Sequence, residues 1–124
     1  MAVESDGATR RALAQGVKAG KLQAALEAID PDLGRWANEY VFGEVWAAEA
    51  LPFDERMLVA ITALSALNRR AQLRNYLHGA LQAGIPEAKL REVMKMMTVY
   101  AGFPVAIESM SELDSVLAAR RARS

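Results

Sequence analysis

The 124-residue sequence contains no cysteine and a single histidine, His78. Without cysteine, disulfides, zinc–thiolate centres and cysteine nucleophiles are excluded. One histidine is too few for a histidine-rich metal site within a single chain, so we expect no metal site. Chemistry on this chain must therefore use carboxylates, arginines, tyrosines, serines or His78.

A surplus of positive charge is also missing, because 15 Lys and Arg residues balance 15 Asp and Glu residues. A nucleic-acid-binding protein needs such a surplus, so we expect no nucleic-acid partner. The longest uncharged apolar stretches, residues 57–68 and 96–107, are too short to cross a bilayer. Residues 1–20 lack the apolar segment of a secretory signal. These features predict a cytoplasmic protein with no membrane partner.

Hydrophobic residues make up 52% of the chain, which is enough to bury one core. The apolar spacing between the four prolines is helical, and no alternating run of β-branched residues predicts a strand. We predict an all-α fold of about six helices. A single helical domain is expected over residues 21–119, with a flexible arm at residues 1–20 and a basic tail at residues 120–124.

Several helix boundaries carry local signals. Asp30 is a candidate N-cap directly before Pro31, and Asp54 is the candidate N-cap of the next helix. In that next helix, residues 57–67 are apolar on every side, which predicts the centre of the core. Gly84 is in the position expected for a glycine that ends a helix.

The helix predicted over residues 71–83 carries two groupings that favour chemistry. Arg69, Gln72 and Tyr76 share one face, where an arginine can bind a carboxylate and a tyrosine can donate to a developing oxyanion. His78 titrates near neutral pH, but it lies about 200° round the helix from Tyr76. The two groups cannot enter one pocket from this helix, and a lone histidine is more often structural than catalytic.

Two further candidates lie earlier in the chain. Glu44 stands among aromatic residues that include Trp46, and a carboxylate in such surroundings is a candidate proton donor. A surface glutamate paired with an arginine is the alternative. Arg56 lies two residues after the candidate N-cap Asp54, near the N-terminus of the helix. The helix dipole makes a positive charge unfavourable at that end. We therefore expect Arg56 to pair with Glu44 or with a substrate carboxylate.

From residue 40 onwards the sequence resembles the carboxymuconolactone decarboxylase family, which includes the AhpD-type thiol hydroperoxidases. The matching blocks are YVFGEVW (40–46), LPFDERML (51–58), LRNYLHGAL (73–81) with Gly84, and VYAGFP (99–104). The resemblance implies an all-α, AhpD-like fold built round a helical hairpin. It also implies a homo-oligomer, a trimer or hexamer, with pockets near subunit contacts.

The resemblance separates two branches of this family. The peroxidase branch uses a glutamate, a CxxC pair and a histidine, and those positions fall on Met57, Arg69, Gln72 and Tyr76 in this chain. Thiol peroxidase activity is therefore excluded. The non-cysteine decarboxylase branch is similar through residues 42–46 and through Arg56, and it acts on carboxylated lactones from aromatic catabolism without a metal or organic cofactor.

The resemblance thus implies a cofactor-independent carboxy-lyase that acts on a small carboxylated lactone or keto acid. In this hypothesis Glu44 protonates the carbon that loses CO2, Tyr76 steadies the enolate oxygen, and Arg56 and Arg69 orient carboxylates. His78 is the other catalytic candidate. The remaining predicted substrate-binding residues are Gln72, Trp46 and Tyr100. Because Tyr76 stands where the family has a histidine, the alternative is a non-catalytic helical oligomer that kept the scaffold.

Overall fold

The computed structural model describes residues 2–123, with side chains described from residue 7 onwards. A short 3₁₀ turn at Gly16–Lys18 joins the first two α-helices, and a π-helical segment at Ala37–Val45 continues the third. The α-helices are α1 (Ala2–Gln15), α2 (Ala19–Ile29), α3 (Pro31–Trp36), α4 (Phe53–Ala66), α5 (Arg70–Gln82), α6 (Glu87–Tyr100) and α7 (Phe103–Ala122). The prediction of an all-α fold is confirmed, since the described residues form no strand.

Two of the predicted helix boundaries are confirmed in atomic detail. A side-chain oxygen of Asp30 accepts a hydrogen bond of 2.8 Å from the backbone N–H of Asp32, and Pro31 is the first residue of α3. Gly84 follows α5 with a φ of 94°, in the left-handed region that glycine adopts without strain.

The predicted N-cap at Asp54 is wrong. Helix α4 begins at Phe53 behind Pro52, whose extended backbone and carbonyl oxygen form the cap. The carbonyl of Pro52 accepts the N–H of Arg56 at 3.0 Å. Asp54 lies in the first turn instead, where a carboxylate is favourable at the positive end of the helix.

The core lies among the last four helices, where α4 packs on α5 and α6 packs on α7. The short connections within the α4–α5 pair and within the α6–α7 pair favour this side-by-side packing. The largest side chains that are fully buried come from all four helices: Met57, Ile61, Leu77, Leu90, Met94, Leu113 and Val116. The central role predicted for residues 57–67 is therefore observed on one side of α4, while Val59 remains exposed on the other.

Within the expected flexible arm at residues 1–20, residues 2–20 form α1, the 3₁₀ turn and the start of α2. Helix α1 packs along the π-helical segment and along α5. A Cβ added to Gly79 of α5 would lie 1.8 Å from the carbonyl oxygen of Ala14, and Ala14 is fully buried. The glycines of the arm suggested a loop, but small residues here let two helix backbones approach closely.

Residues 120–122 of the predicted basic tail belong to α7, which continues to Ala122. Arg120 and Arg121 lie in its last turn, at the end of a helix where cations are favourable. The tail is therefore helical over most of the part that the structure describes.

The contact between α1 and α5 predicts a position-specific effect of adding one methyl group. Gly79→Ala forces the Ala14 carbonyl away and should destabilise the fold by about 1–3 kcal/mol. Gly20→Ala is the matched control, since nothing lies within 4 Å of its added Cβ and α2 should gain up to about 1 kcal/mol. Urea unfolding measures both changes, and equal stabilities for the two variants would contradict the packing described.

Candidate functional site

An aromatic cluster forms where the π-helical segment meets α4 and α5. The ring of Trp46 lies 5.4 Å from Phe42, 6.1 Å from Phe53 and 6.2 Å from Tyr76, measured between centroids. These separations are those of favourable aromatic pairs. The structure therefore brings two residues from the predicted site, Trp46 and Tyr76, into contact.

The π-helical turn determines which side chains take part in the cluster. The N–H of Trp46 bonds to the carbonyl of Val41 at 2.9 Å, five residues back, so the turn is wider than in an α-helix. Glu44 stands two positions before Trp46, on nearly the opposite side of the segment, and it is exposed. The predicted proton donor therefore does not face Trp46. The apolar spacing of this segment predicts an ordinary amphipathic α-helix and gives no signal for the wider turn.

A chain of polar side chains approaches Tyr76 from α1. Arg11 is only 4% exposed, and its Nε donates to the side-chain oxygen of Gln15 at 2.7 Å. Gln15 in turn hydrogen-bonds to the side chain of Tyr76. Because Arg11 occupies the amide oxygen, the amide N–H₂ of Gln15 is the group available to the phenol.

The guanidinium of Arg11 is held by neutral groups. Its carbon lies 5.6 Å from the ring centroid of Phe42, and one of its nitrogens donates to the side-chain oxygen of Gln23. Gln23 also donates to a carboxylate oxygen of Glu27 at 2.8 Å. Across residues 7–123, Arg11 itself forms no ion pair, and its charge lies beside the aromatic cluster.

Burial changes the ionisation of both ends of this chain. Burial lowers the pKa of Arg11, although the nearby Tyr76 and Glu27 oppose the change, and a guanidinium remains charged at neutral pH. Burial raises the pKa of Tyr76, against the hydrogen bond from Gln15 and the charge of Arg11. The phenol of Tyr76 is therefore protonated at neutral pH and is able to donate a hydrogen bond.

A cavity of about 310 Å³ lies on the outer side of Trp46. Its volume is in the range of small-molecule sites. Apolar side chains from Leu13, Trp46 and Phe53 form much of the lining, together with the charged side chains of Arg10 and Glu49. Arg10 also donates to the carbonyl of Phe42 at 3.2 Å, which fixes it against the π-helical segment.

Arg56 also lines this cavity, but its hydrogen bonds go to the backbone. Its guanidinium donates to the carbonyl oxygens of Val45, Ala48 and Leu51 at 2.8, 2.5 and 2.8 Å. The end of the π-helical segment leaves carbonyls without helical partners, and Arg56 satisfies them. The expected pair with Glu44 is not formed, and the unusual position of this cation is explained by the loop it holds.

His78 lies on another face of α5 and is only 7% exposed. Burial lowers its pKa, and with the added effect of the positive charges of Lys18, Arg123, Arg74 and Arg120 the pKa falls to about 4. The imidazole is therefore neutral at pH 7. It belongs to different surroundings from Tyr76, which contacts Trp46 and Gln15.

The other predicted site residues lie away from the aromatic contacts. Arg69 precedes α5 and borders a small recess that also involves Glu108, and Gln72 is exposed one turn before Tyr76. Tyr100 is 81% exposed at the end of α6 and forms no ring contact within the described residues. None of the three is seen to join the Trp46 cluster.

Sequence reasoning missed Arg10, Arg11 and Gln15 because it assigned residues 1–20 to a flexible arm. The spacing of Arg11 and Gln15, one helical turn apart, was the available signal.

Among the described residues no group of three or more His, Cys, Asp or Glu side chains is arranged to hold a metal ion. No helix of the described chain is both long and apolar enough to span a membrane.

Comparisons with a family model and with individual proteins indicate the same kind of relative, decarboxylases. A sequence model of the carboxymuconolactone decarboxylase family matches residues 31–115. The 4-carboxymuconolactone decarboxylase of Acinetobacter baylyi is 31% identical over 91 residues, covering 73% of this chain and 68% of that protein. The nitrosuccinic acid decarboxylase of Metarhizium robertsii is 29% identical over 73 residues, covering 59% of this chain and 51% of that protein.

The match to the family model includes Trp46 and Tyr76 but begins after α2, so Arg11 and Gln15 fall outside the matched residues. The candidate site is therefore built from two parts. One part lies within the family's sequence pattern, and the other is brought to it by the packing of α1.

The neutral, buried His78 predicts a loss of stability under mildly acidic conditions. The unfolded chain binds a proton at His78 below about pH 6.5, whereas the folded chain does so only near pH 4. The stability contributed by the neutral imidazole is therefore present above pH 6.5 and is lost as the pH falls towards 4. Urea unfolding in chloride buffers between pH 7 and 5 should show a smaller loss of unfolding free energy for His78→Gln than for the unmodified protein. Parallel curves for both proteins would contradict this.

Proposed function

Because the chain belongs to the carboxymuconolactone decarboxylase family, we propose that it decarboxylates a small carboxylated lactone or keto acid without a cofactor. Both curated relatives are named as decarboxylases of small carboxylic acids, which supports this reaction class. The observation that carries the proposal is the chain from Arg11 through Gln15 to the phenol of Tyr76, beside Trp46.

Decarboxylation breaks the bond between the carboxylate carbon and its neighbour. CO2 leaves, and the electron pair moves into the adjacent carbonyl group, which becomes an enolate. The barrier falls when donors already point at the developing negative oxygen. In the proposed mechanism the phenol of Tyr76 donates to that oxygen, since burial keeps it protonated, and the charge of Arg11 stabilises the same anion through Gln15.

In this proposal the substrate's carboxylate lies in the cavity beside Trp46. Tyr76 contacts the Trp46 ring but does not line this cavity, so the proposal requires the Trp46 ring to turn aside when the substrate binds. Arg10 is the cation there that faces a bound carboxylate, while Arg56 is occupied by backbone carbonyls. The proton that replaces CO2 comes from water in this proposal. Glu44 is the alternative donor, but it is exposed on the opposite side of the segment from Trp46.

The test is CO2 release from carboxymuconolactone, nitrosuccinic acid and simple β-keto acids. We expect turnover of one of these classes, with Tyr76→Phe lowering kcat by about 10²-fold while KM changes little, because the lost donor acts on the transition state. Tyr40→Phe is the matched control, since Tyr40 is exposed and outside the cluster. The Glu44→Gln variant separates the two proton sources: retained turnover indicates water, and abolished turnover indicates Glu44.

Absence of CO2 release from every class, by a protein with an intact helical spectrum, would contradict the enzymatic proposal. It would favour the second candidate, a non-catalytic oligomer. That candidate is supported by the tyrosine at the position where the resemblance implies a histidine.

We also propose that the protein is a homo-oligomer. A row of large apolar side chains is exposed along the end of α6 and the start of α7: Met96, Val99, Tyr100, Phe103 and Ile107. Helix α4, which packs against α6, adds an exposed apolar surface around Val59. An exposed apolar surface of this kind is typical of a protein–protein contact. The proposed partner is a second copy of the chain.

Light scattering during gel filtration tests the assembly. We expect the mass of a trimer or hexamer, and Val99→Glu should yield smaller species because a charge would be buried in the contact. Ile29→Glu is the control, as Ile29 is similarly exposed but lies on α2. A monomeric mass for the unmodified protein, or equal masses for both variants, would contradict the proposed face.

A further inference from the structure

The cavity beside Trp46 carries a negative charge that the proposed mechanism does not use. Among the described residues that line it, Glu49 is the one acidic side chain. Within residues 7–123, Glu49 forms no hydrogen bond and no ion pair. Its carboxylate is therefore free to interact with a molecule in the cavity.

Glu49 lies in the loop between the π-helical segment and α4, and Arg56 holds the backbone of this loop. The guanidinium of Arg56 donates to the carbonyl of Ala48, directly before Glu49, at 2.5 Å. It also donates to the carbonyl of Leu51, two residues after Glu49, at 2.8 Å. Because the backbone on both sides of Glu49 is bound to one side chain, the loop keeps this carboxylate at the cavity wall.

A positive charge reaches the same cavity from a different element, as Arg10 of α1. Arg10 donates to the carbonyl of Phe42 at 3.2 Å, and the five N–H donors of a guanidinium allow it to hold a carboxylate as well. Arg10 and Glu49 both line the cavity, but no ion pair joins them. The cavity thus presents a donor and an acceptor of opposite charge at separate points.

An ionised carboxylate in the lining discriminates between acids, because it accepts hydrogen bonds and donates none. A hydroxyl or an ammonium group gains a charge-assisted hydrogen bond there, whereas a second carboxylate is repelled. Arg10 attracts the carboxylate that all of these acids share, and Trp46 and Phe53 offer apolar surface to any carbon skeleton. Glu49 is therefore the group in this lining that separates one acid from another.

We propose that Glu49 determines which acids this cavity accepts, and that it favours a small acid that also carries a hydroxyl or an ammonium group. The carboxylate of such an acid lies at Arg10, and its donor group lies at Glu49. This inference rests on the proposed function, which places the substrate's carboxylate in the same cavity, and it narrows the class of substrate.

Binding of succinate, racemic malate and racemic aspartate tests this preference. The three acids lack the keto group that decarboxylation requires, and they differ in one substituent, which is a hydrogen atom, a hydroxyl or an ammonium group. The chain has two tryptophans, so in a Trp36→Phe background the fluorescence of Trp46 reports binding in the cavity. We expect malate, aspartate or both to bind at least about 3-fold more tightly than succinate. A preference for malate alone indicates the hydroxyl, and a preference for aspartate alone indicates the ammonium group.

Glu49→Ala should bring the three affinities together, because the acceptor for the donor group is lost. Glu55→Ala is the matched control, since it removes the same charge from an exposed position on α4 outside the cavity lining and should keep the preference. Equal affinities of the three acids for the unmodified protein, failure of all three to bind, or the same loss of preference in both alanine variants would overturn the inference.

These outcomes are distinct from those of the CO2 assay. A protein that shows the preference but releases no CO2 contradicts the proposed decarboxylation and leaves the role of Glu49 in binding intact. A protein that releases CO2 but binds the three acids equally contradicts the role of Glu49 alone.

Discussion

The packing of α1 against α5 is the contact on which the candidate site at Trp46 and Tyr76 depends. At Gly79 the two backbones approach so closely that a single Cβ would meet the carbonyl oxygen of Ala14. This approach fixes the rotation of α1, and with it the positions of Arg11 and Gln15 beside Tyr76. It also brings the turn that carries Lys18 to the opposite face of α5, beside His78. One steric contact thus places cations on both sides of the same helix.

The features predicted correctly from the sequence are those determined by short-range physics. Asp30 caps α3 because its side chain reaches an N–H two residues away. Gly84 follows the end of α5 because glycine adopts the positive φ of that turn, which is a property of the local backbone. Burial of Met57 and Ile61 follows from the apolar composition of α4. The cap of α4 lies two residues before the predicted one, since the backbone of Pro52 forms the cap in place of the side chain of Asp54.

The features that were missed depend on contacts between distant segments. Arg11 is buried only because α1 docks, and a charged residue within a glycine-containing segment gives no local sign of burial. The poor position of Arg56 at a helix start was a real signal, but its partners are backbone carbonyls instead of carboxylates. The wider turn before Trp46 was likewise invisible, and it separates Glu44 from the aromatic cluster.

These contacts give a physical reason why membership of the decarboxylase family is compatible with tyrosine at position 76. A buried phenol that stays protonated is a hydrogen-bond donor at neutral pH, which is the property an enolate-stabilising group requires. The family's sequence pattern contributes Trp46 and Tyr76, while the docked α1 contributes the charge that acts on them. The proposed chemistry is thus tied to a tertiary contact outside the matched residues.

The ionisation of Tyr76 measures this coupling most directly, and it needs no substrate. NMR titration of ¹³C-labelled tyrosine should show Tyr76 ionising at higher pH than free tyrosine, because burial raises its pKa. Replacing Gln15 with leucine should raise the pKa of Tyr76 further, since the bond that favours the phenolate is removed. If Tyr76 titrates like free tyrosine, and Gln15→Leu leaves its pKa unchanged, the docking of α1 onto the site is contradicted.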